Sequence, residues 1–86
     1  MKIQLHRNFE KKFVKLPLKI KERFKERRGL FLEDAFNPLL NNHPLSGDRL
    51  GQWSVNITGD WRAIYVFRDE NTIVFIDIDT HSNLYK

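Results

Sequence analysis

The chain has 86 residues, 30% of them charged and 13% aromatic, with seven Phe and no Cys. A chain this short buries roughly 60% of its unfolded surface, which leaves room for one domain and no deep interdomain cleft. The missing cysteines exclude disulfides and thiolate metal sites, and no apolar run approaches the ~18 residues of a membrane span.

Lys plus Arg outnumber Asp plus Glu by 15 to 11, a net charge of +4. With no apolar leader at the N-terminus, the expected location is the cytoplasm, without a membrane partner. In chain order, Ile3 and Leu5 alternate with Lys2 and Gln4, which predicts a first strand. Asn8 is placed to cap a helix, with Glu10 near the positive end of its dipole. Phe9, Phe13 and Leu16 recur at helical steps, and Pro17 belongs in the first turn of a second helix. Ile20, Phe24, Phe31 and Ala35 then keep one register, so that helix is expected to run through Gly29 and stop near Glu33 or Asp34. The two helices form an antiparallel pair.

The positive charge is concentrated here. Lys11, Lys12, Lys15, Lys19, Lys21, Arg23, Lys25, Arg27 and Arg28 stand against Glu22 and Glu26 alone. Such a face suits a polyanion, through release of condensed counterions, and suits an acidic protein surface equally. Asn37-Pro38-Leu39-Leu40 carries the cap-then-proline signature of a single helical turn, and Asn41 to Gly51 has loop composition.

Three strands follow. Trp53, Val55 and Ile57 alternate with polar residues. Trp61 to Phe67 is apolar on both faces except for Arg62, which predicts a central strand, and Ile73 to Ile78 is the last. The expected fold is α+β: an antiparallel sheet, made of the N-terminal strand and a C-terminal three-strand meander, with the helix hairpin packed on one face. One domain spans residues 1–86.

Three strings carry a resemblance: His43-Pro44-Leu45-Ser46-Gly47, then Gly59-Asp60-Trp61-Arg62-Ala63-Ile64-Tyr65, and finally Thr80-His81-Ser82-Asn83-Leu84-Tyr85. In this order the chain resembles the RelE/ParE toxin superfamily over its whole length, and the YafQ-like branch above all. The resemblance implies a RelE-like fold and the toxin of a type II toxin–antitoxin pair. It implies a metal-independent, cofactor-free endoribonuclease that cleaves translated mRNA on the ribosome. The implied partners are an acidic antitoxin, the ribosome and mRNA, with DNA reached only through the antitoxin complex.

Residue by residue, the resemblance puts His43, Asp60 and His81 in catalysis. It gives Arg62 a phosphate contact, and it sets Trp61 and Tyr85 beside the substrate. The YafQ-like pattern has a further histidine four residues before the aspartate, where this chain has Asn56. An amide can hold a phosphate or a base edge but cannot shuttle a proton, so Asn56 is expected to bind rather than catalyse. Lys11, Lys12 and Lys15 are expected to meet the RNA backbone.

The chemistry agrees. Attack by a 2′-hydroxyl needs a proton acceptor, a proton donor for the leaving 5′-oxygen and a cation at phosphorus. Histidine, with an ordinary pKa of about 6.5, serves either proton role. Arginine offers a fixed fork of donors, and an aromatic ring stacks an unpaired base. Each residue also has a plainer reading. His43 precedes a proline in a loop, Asp60 follows glycine in a turn, and His81, Tyr85, Trp53 and Trp61 can all be packing residues. Asp77 and Asp79 alternate on one strand face and are expected to be solvated. Two other functions fit the same fold: a ParE-like toxin that binds a topoisomerase, and a catalytically silent RNA- or protein-binding domain.

Overall fold

The computed structural model describes residues 1–85. Lys2–Leu5 form strand β1 and Arg7–Phe13 helix α1. The cap of α1 is His6 rather than Asn8, because the His6 Nδ1 accepts the Asn8 N–H at 3.0 Å. An imidazole nitrogen here does the work of the expected amide oxygen. Helix α2, Leu18–Glu33, runs through Gly29 as its apolar register demands. Pro17 stands just before its first turn, with its carbonyl accepting the Ile20 and Lys21 N–H groups. Pro38–Leu40 form a single 3-10 turn, capped by Asn37 Oδ1 on the Leu39 N–H at 3.0 Å.

The expected loop holds two further elements: a two-residue strand β2, His43–Pro44, and a 3-10 turn, Gly47–Arg49. Strands β3 (Trp53–Asn56), β4 (Trp61–Asp69) and β5 (Thr72–Thr80) make the meander, and His81–Leu84 close the chain as helix α3. The sheet has five strands in the order β1-β5-β4-β3-β2. The α+β class and the mostly antiparallel sheet are as expected. One pairing differs: β1 lies parallel to β5, from Lys2 opposite Thr72 to Leu5 opposite Phe75. Alternation of Ile3 and Leu5 reports which face is buried and carries no information about strand direction.

The core lies between the sheet and the helix pair. Phe9 of α1, Phe24 of α2 and Phe75 of β5 form a triangle with ring centroids 5.2 to 5.8 Å apart. Phe31 packs edge-on against Tyr65 at 5.4 Å. Val55, Ile57, Ala63, Ile73 and Ile78 complete the helix-facing cluster. These are the geometries that aromatic quadrupoles favour, and most of the apolar burial is concentrated here.

One irregularity sets up the other face. The register slips between Ile64 and Tyr65, with Ile64 opposite Asp77 and Tyr65 opposite Phe75. The extra residue in β5 is Ile76, so Phe75 and Ile78 both reach the core despite their odd spacing. The bulge sets Asp77 opposite Ile64 and Asp79 opposite Arg62, where the Lys12 ammonium of α1 reaches both carboxylates.

Candidate active site

Alternation along β3 and β4 decides which side chains meet. Trp53, Val55, Trp61, Ala63 and Tyr65 pack toward the helices. Their neighbours Ser54, Asn56, Arg62 and Ile64 therefore face the opposite side. Asn56 lies directly across from Arg62, and Ser54 lies between His43 of β2 and Ile64 of β4. The loop after α2 and helix α3 rise on this side. Together they enclose a cavity of about 430 Å³ lined by His43, Ser54, Arg62, His81 and Tyr85, with Asn41 and Leu45 at its edge.

His43 is held by its backbone and by its ring. The Nδ1 lies 2.6 Å from the Asn41 carbonyl oxygen. A carbonyl can only accept, so Nδ1 carries the proton and Nε2 is left as the acceptor. Asn41 presents that carbonyl from a left-handed conformation, φ 43°, which asparagine tolerates better than most residues.

His81 opens α3. Its N–H donates to the Asp60 carbonyl at 2.8 Å, which fastens the helix to the β3–β4 turn. Thr80 Oγ1 accepts the Asn83 N–H at 3.3 Å as the cap. The His81 and Tyr85 rings lie one turn apart, their centroids 4.7 Å from each other, and both side chains are exposed. Asp60 is exposed too and reaches the site through its carbonyl.

Arg62 is half-buried and folded back on the turn. Its Nη1 donates to the carbonyls of Thr58 at 3.0 Å, Gly59 at 3.2 Å and Trp61 at 3.0 Å. These bonds orient the guanidinium, and no carboxylate among the described residues pairs with it. Asp79 stands directly opposite Arg62 in the register, yet its carboxylate is engaged elsewhere. Lys12 Nζ donates to Asp77 Oδ1 at 2.7 Å and to Asp79 Oδ2 at 3.1 Å. Asp79 Oδ1 accepts from the Asn83 side-chain amide at 2.9 Å and from the Thr80 N–H at 2.8 Å. Burial pushes the Asp79 carboxyl upward, but Asn83, the Thr80 N–H and Lys12 outweigh it and hold the group below the usual carboxylate range. Burial likewise lowers Lys12, and the two aspartates more than reverse it, raising the ammonium.

Two buried polar atoms, Ser54 Oγ and Asn56 Oδ1, have no hydrogen-bond partner among the described residues. Both belong to the face that carries the cavity. A buried polar atom without a partner costs about 1–3 kcal/mol, so this face retains polar capacity that the fold itself leaves unused.

The sequence-derived residues therefore separate. His43, Arg62, His81 and Tyr85 line one cavity, with Asn56 and Asp60 adjoining through β3 and the turn. Trp61 does not join them. It packs against the core and lines a shallow hollow with Lys12, Lys15, Leu16, Ile78 and Asp79 beside α1. Lys12 is bound to the aspartates, and Lys11 is exposed on α1. Asp77 and Asp79 are a half-buried anchor rather than the solvated pair expected of them. The sequence reading passed over Ser54, whose signal was a small polar residue inside an apolar strand. It also passed over Arg49, whose Nη2 donates to the Leu84 carbonyl at 3.3 Å and so ties α3 to the Gly47–Arg49 turn. Among the described residues no three His, Asp or Glu side chains are gathered closely enough to hold a metal ion.

Solved structures share this architecture. YafQ from E. coli strain BL21(DE3) superposes with a TM-score of 0.78 at 22% identity, over 98% of this chain and 97% of that one. A YoeB/ParE toxin from Agrobacterium tumefaciens gives 0.76 at 21% identity, over 94% and 99%. The E. coli DinJ–YafQ toxin–antitoxin complex gives 0.75 at 24% identity, over 98% and 96%. No curated protein sequence matches the chain. The family model of the ParE toxin of type II toxin–antitoxin systems matches residues 3–85. The chain belongs to that toxin family.

Proposed function

We propose that this toxin is a metal-independent endoribonuclease that cuts translated mRNA on the ribosome. The observation that carries the reading is the convergence of His43, Arg62 and His81 on one open cavity from three separate elements. In the proposed reaction, His43 Nε2 removes the proton of a 2′-hydroxyl, whose oxygen attacks the adjacent phosphorus. The bond from phosphorus to the 5′-oxygen breaks, and His81 supplies the proton to that leaving oxygen. Arg62 holds the non-bridging oxygens as charge develops on them. Asp60 holds the start of α3, and with it His81, through its backbone carbonyl. Tyr85 stacks a flanking base, and Ser54 and Asn56 offer hydrogen bonds to the sugar-phosphate.

The products are a 2′,3′-cyclic phosphate and a 5′-hydroxyl. Purified chain added to ribosomes programmed with a defined mRNA should leave those ends, and a 2′-deoxynucleotide at the cut position should stop the reaction. Ends bearing a 3′-hydroxyl and a 5′-phosphate, or unaltered cutting of the deoxy substrate, would refute it.

A second reading is favoured by the family description itself, since the matching model is that of ParE. In that reading the same surface binds a topoisomerase and cuts nothing. DNA damage with whole transcripts after induction would select it. Under either reading we propose an acidic antitoxin as partner, binding the basic side of α1 and α2. The solved E. coli DinJ–YafQ structure is a toxin–antitoxin complex of this architecture, and we propose that this chain reaches operator DNA only through a complex with its own antitoxin. No helix among the described residues is long and apolar enough to cross a membrane, and the proposed site of action is the cytoplasm.

A further inference from the structure

Asn42 and His43 are chain neighbours whose side chains serve different places. His43 lies across from Ser54 and enters the cavity. Asn42 reaches the other way, between strand β4 and the chain just after α2. Its Nδ2 donates to the Ala35 carbonyl at 3.1 Å, and its Oδ1 accepts from the Tyr65 hydroxyl at 2.8 Å.

The roles in this network are fixed. A carbonyl only accepts, so the amide nitrogen faces Ala35, the amide oxygen faces Tyr65, and the hydroxyl donates. Tyr65 is 1% exposed. Its ring is held by Phe31, Trp53, Phe67 and Phe75, with centroids 5.4 to 6.2 Å away. Burial pushes the hydroxyl upward, against a smaller opposing effect of Asn42, and keeps the proton on the donor. The cleavage chemistry uses neither Tyr65 nor Asn42.

Their effect passes through the backbone. Leu40 is buried in the core, and Asn41 turns the chain with φ 43° and sets its carbonyl 2.6 Å from His43 Nδ1. Asn42 is the residue between that carbonyl and that ring. Its two bonds tie the segment to the core where it passes from the 3-10 turn to β2. A free imidazole in water favours a proton on Nε2. The tautomer in which Nε2 accepts therefore depends on the Asn41 carbonyl staying in place.

We propose that Tyr65 and Asn42 are positioning residues for His43: their hydrogen bonds hold the Asn41 carbonyl against Nδ1 and so keep Nε2 open as the proton acceptor. The proposal rests on the endonuclease reading and adds how its base is kept in the working tautomer. A tyrosine buried on the core side of the sheet thereby governs a proton acceptor on the cavity side.

The test reads the His43 ring directly, by long-range proton–nitrogen NMR of the nitrogen-labelled full chain above the imidazole titration. The same proteins are assayed for cutting of ribosome-bound mRNA. Tyr65→Phe removes the hydroxyl and keeps the ring, and Asn42→Ala removes both bonds. Ile73→Val, in the core opposite Ile3 of β1, loosens packing and leaves the network intact. The wild type should carry the proton on Nδ1. Tyr65→Phe and Asn42→Ala should show both tautomers and a kcat lower by about tenfold with KM unchanged. Ile73→Val should match the wild type in both readings. A wild-type proton on Nε2 would overturn the proposal, as would a single Nδ1–H tautomer with full activity in Tyr65→Phe. Mixed tautomers in Ile73→Val as well would reduce the effect to lost stability and overturn it too. The expected spectra in a chain that leaves every transcript whole would remove the endonuclease reading alone.

Discussion

Arg62 and Asp79 face each other across β4 and β5, opposite in charge and paired in register, and form no ion pair. The carboxylate is turned instead to Lys12 at 3.1 Å and Asn83 at 2.9 Å. Among the described residues the arrangement leaves Arg62 without a paired carboxylate, which a phosphate-binding group needs, and uses the aspartate to fasten α3. Removing Lys12 releases part of that hold. Lys12→Ala is expected to lower cleavage about tenfold, because Asp79 becomes available to Arg62, and Asp79→Asn in the same chain should restore most of it. Rates for the two single variants and the double variant check this. Losses that simply add would mean the pair acts only through stability.

The same contacts predict two pH limits. Asp79 is held below its ordinary value, so its contribution is complete above the unfolded carboxyl value of about 3.9 and disappears as pH falls through the lower folded value. Lys12 is raised, so its contribution is complete below about 10.4 and is lost as pH rises through the higher folded value. Lys12 is 46% exposed, and an ion pair this open is worth at most about 1 kcal/mol. Lys12→Gln should therefore lower stability slightly at pH 7 and flatten both limbs. Urea unfolding at pH 3, 7 and 11 measures it, and an unchanged pH profile would contradict the assignment.

Strand alternation separates two aromatic residues that the sequence places together in function. Trp61→Phe keeps an aromatic side chain on the helix side and should leave cleavage within about twofold. Tyr85→Ala should lower it about tenfold, the usual scale for a lost stacking partner. Equal losses from both would place Trp61 at the RNA after all.

Gly29 sits inside α2, where a Cβ would meet nothing within 4 Å. Glycine in a helix interior costs roughly 0.5–1 kcal/mol relative to alanine. Gly29→Ala is expected to raise unfolding stability by that amount without altering activity. A destabilised Gly29→Ala chain would show that the helix is strained there.

The sequence made much of this legible because period and polarity report local shape. The register of Ile20, Phe24 and Phe31 carried α2 through a glycine, and Asn37-Pro38 announced its turn. What stayed hidden depended on long-range pairing. The parallel direction of β1, the bulge at Ile76 and the reach of Lys12 to Asp77 and Asp79 all arise from elements far apart in the chain. The bulge is why Asp77 stands opposite Ile64 and Asp79 opposite Arg62, and no count along β5 alone gives that. At the site, the three motif strings named His43, Arg62 and His81, which the fold brings to one cavity. Trp61, named by the same strings, is directed elsewhere by one step of strand alternation, and Lys12, taken from the basic run, by its ion pairs with Asp77 and Asp79.

The most direct measurement is induced expression in bacteria of the wild-type chain and of His81→Ala, with primer extension across a translated reporter mRNA. The account predicts growth arrest and cuts within translated codons for the wild type. In His81→Ala both should fall by at least about a hundredfold, the lower range for loss of a general acid, with the protein still folded. Arrest with every transcript intact, or cuts that persist in His81→Ala, would contradict it.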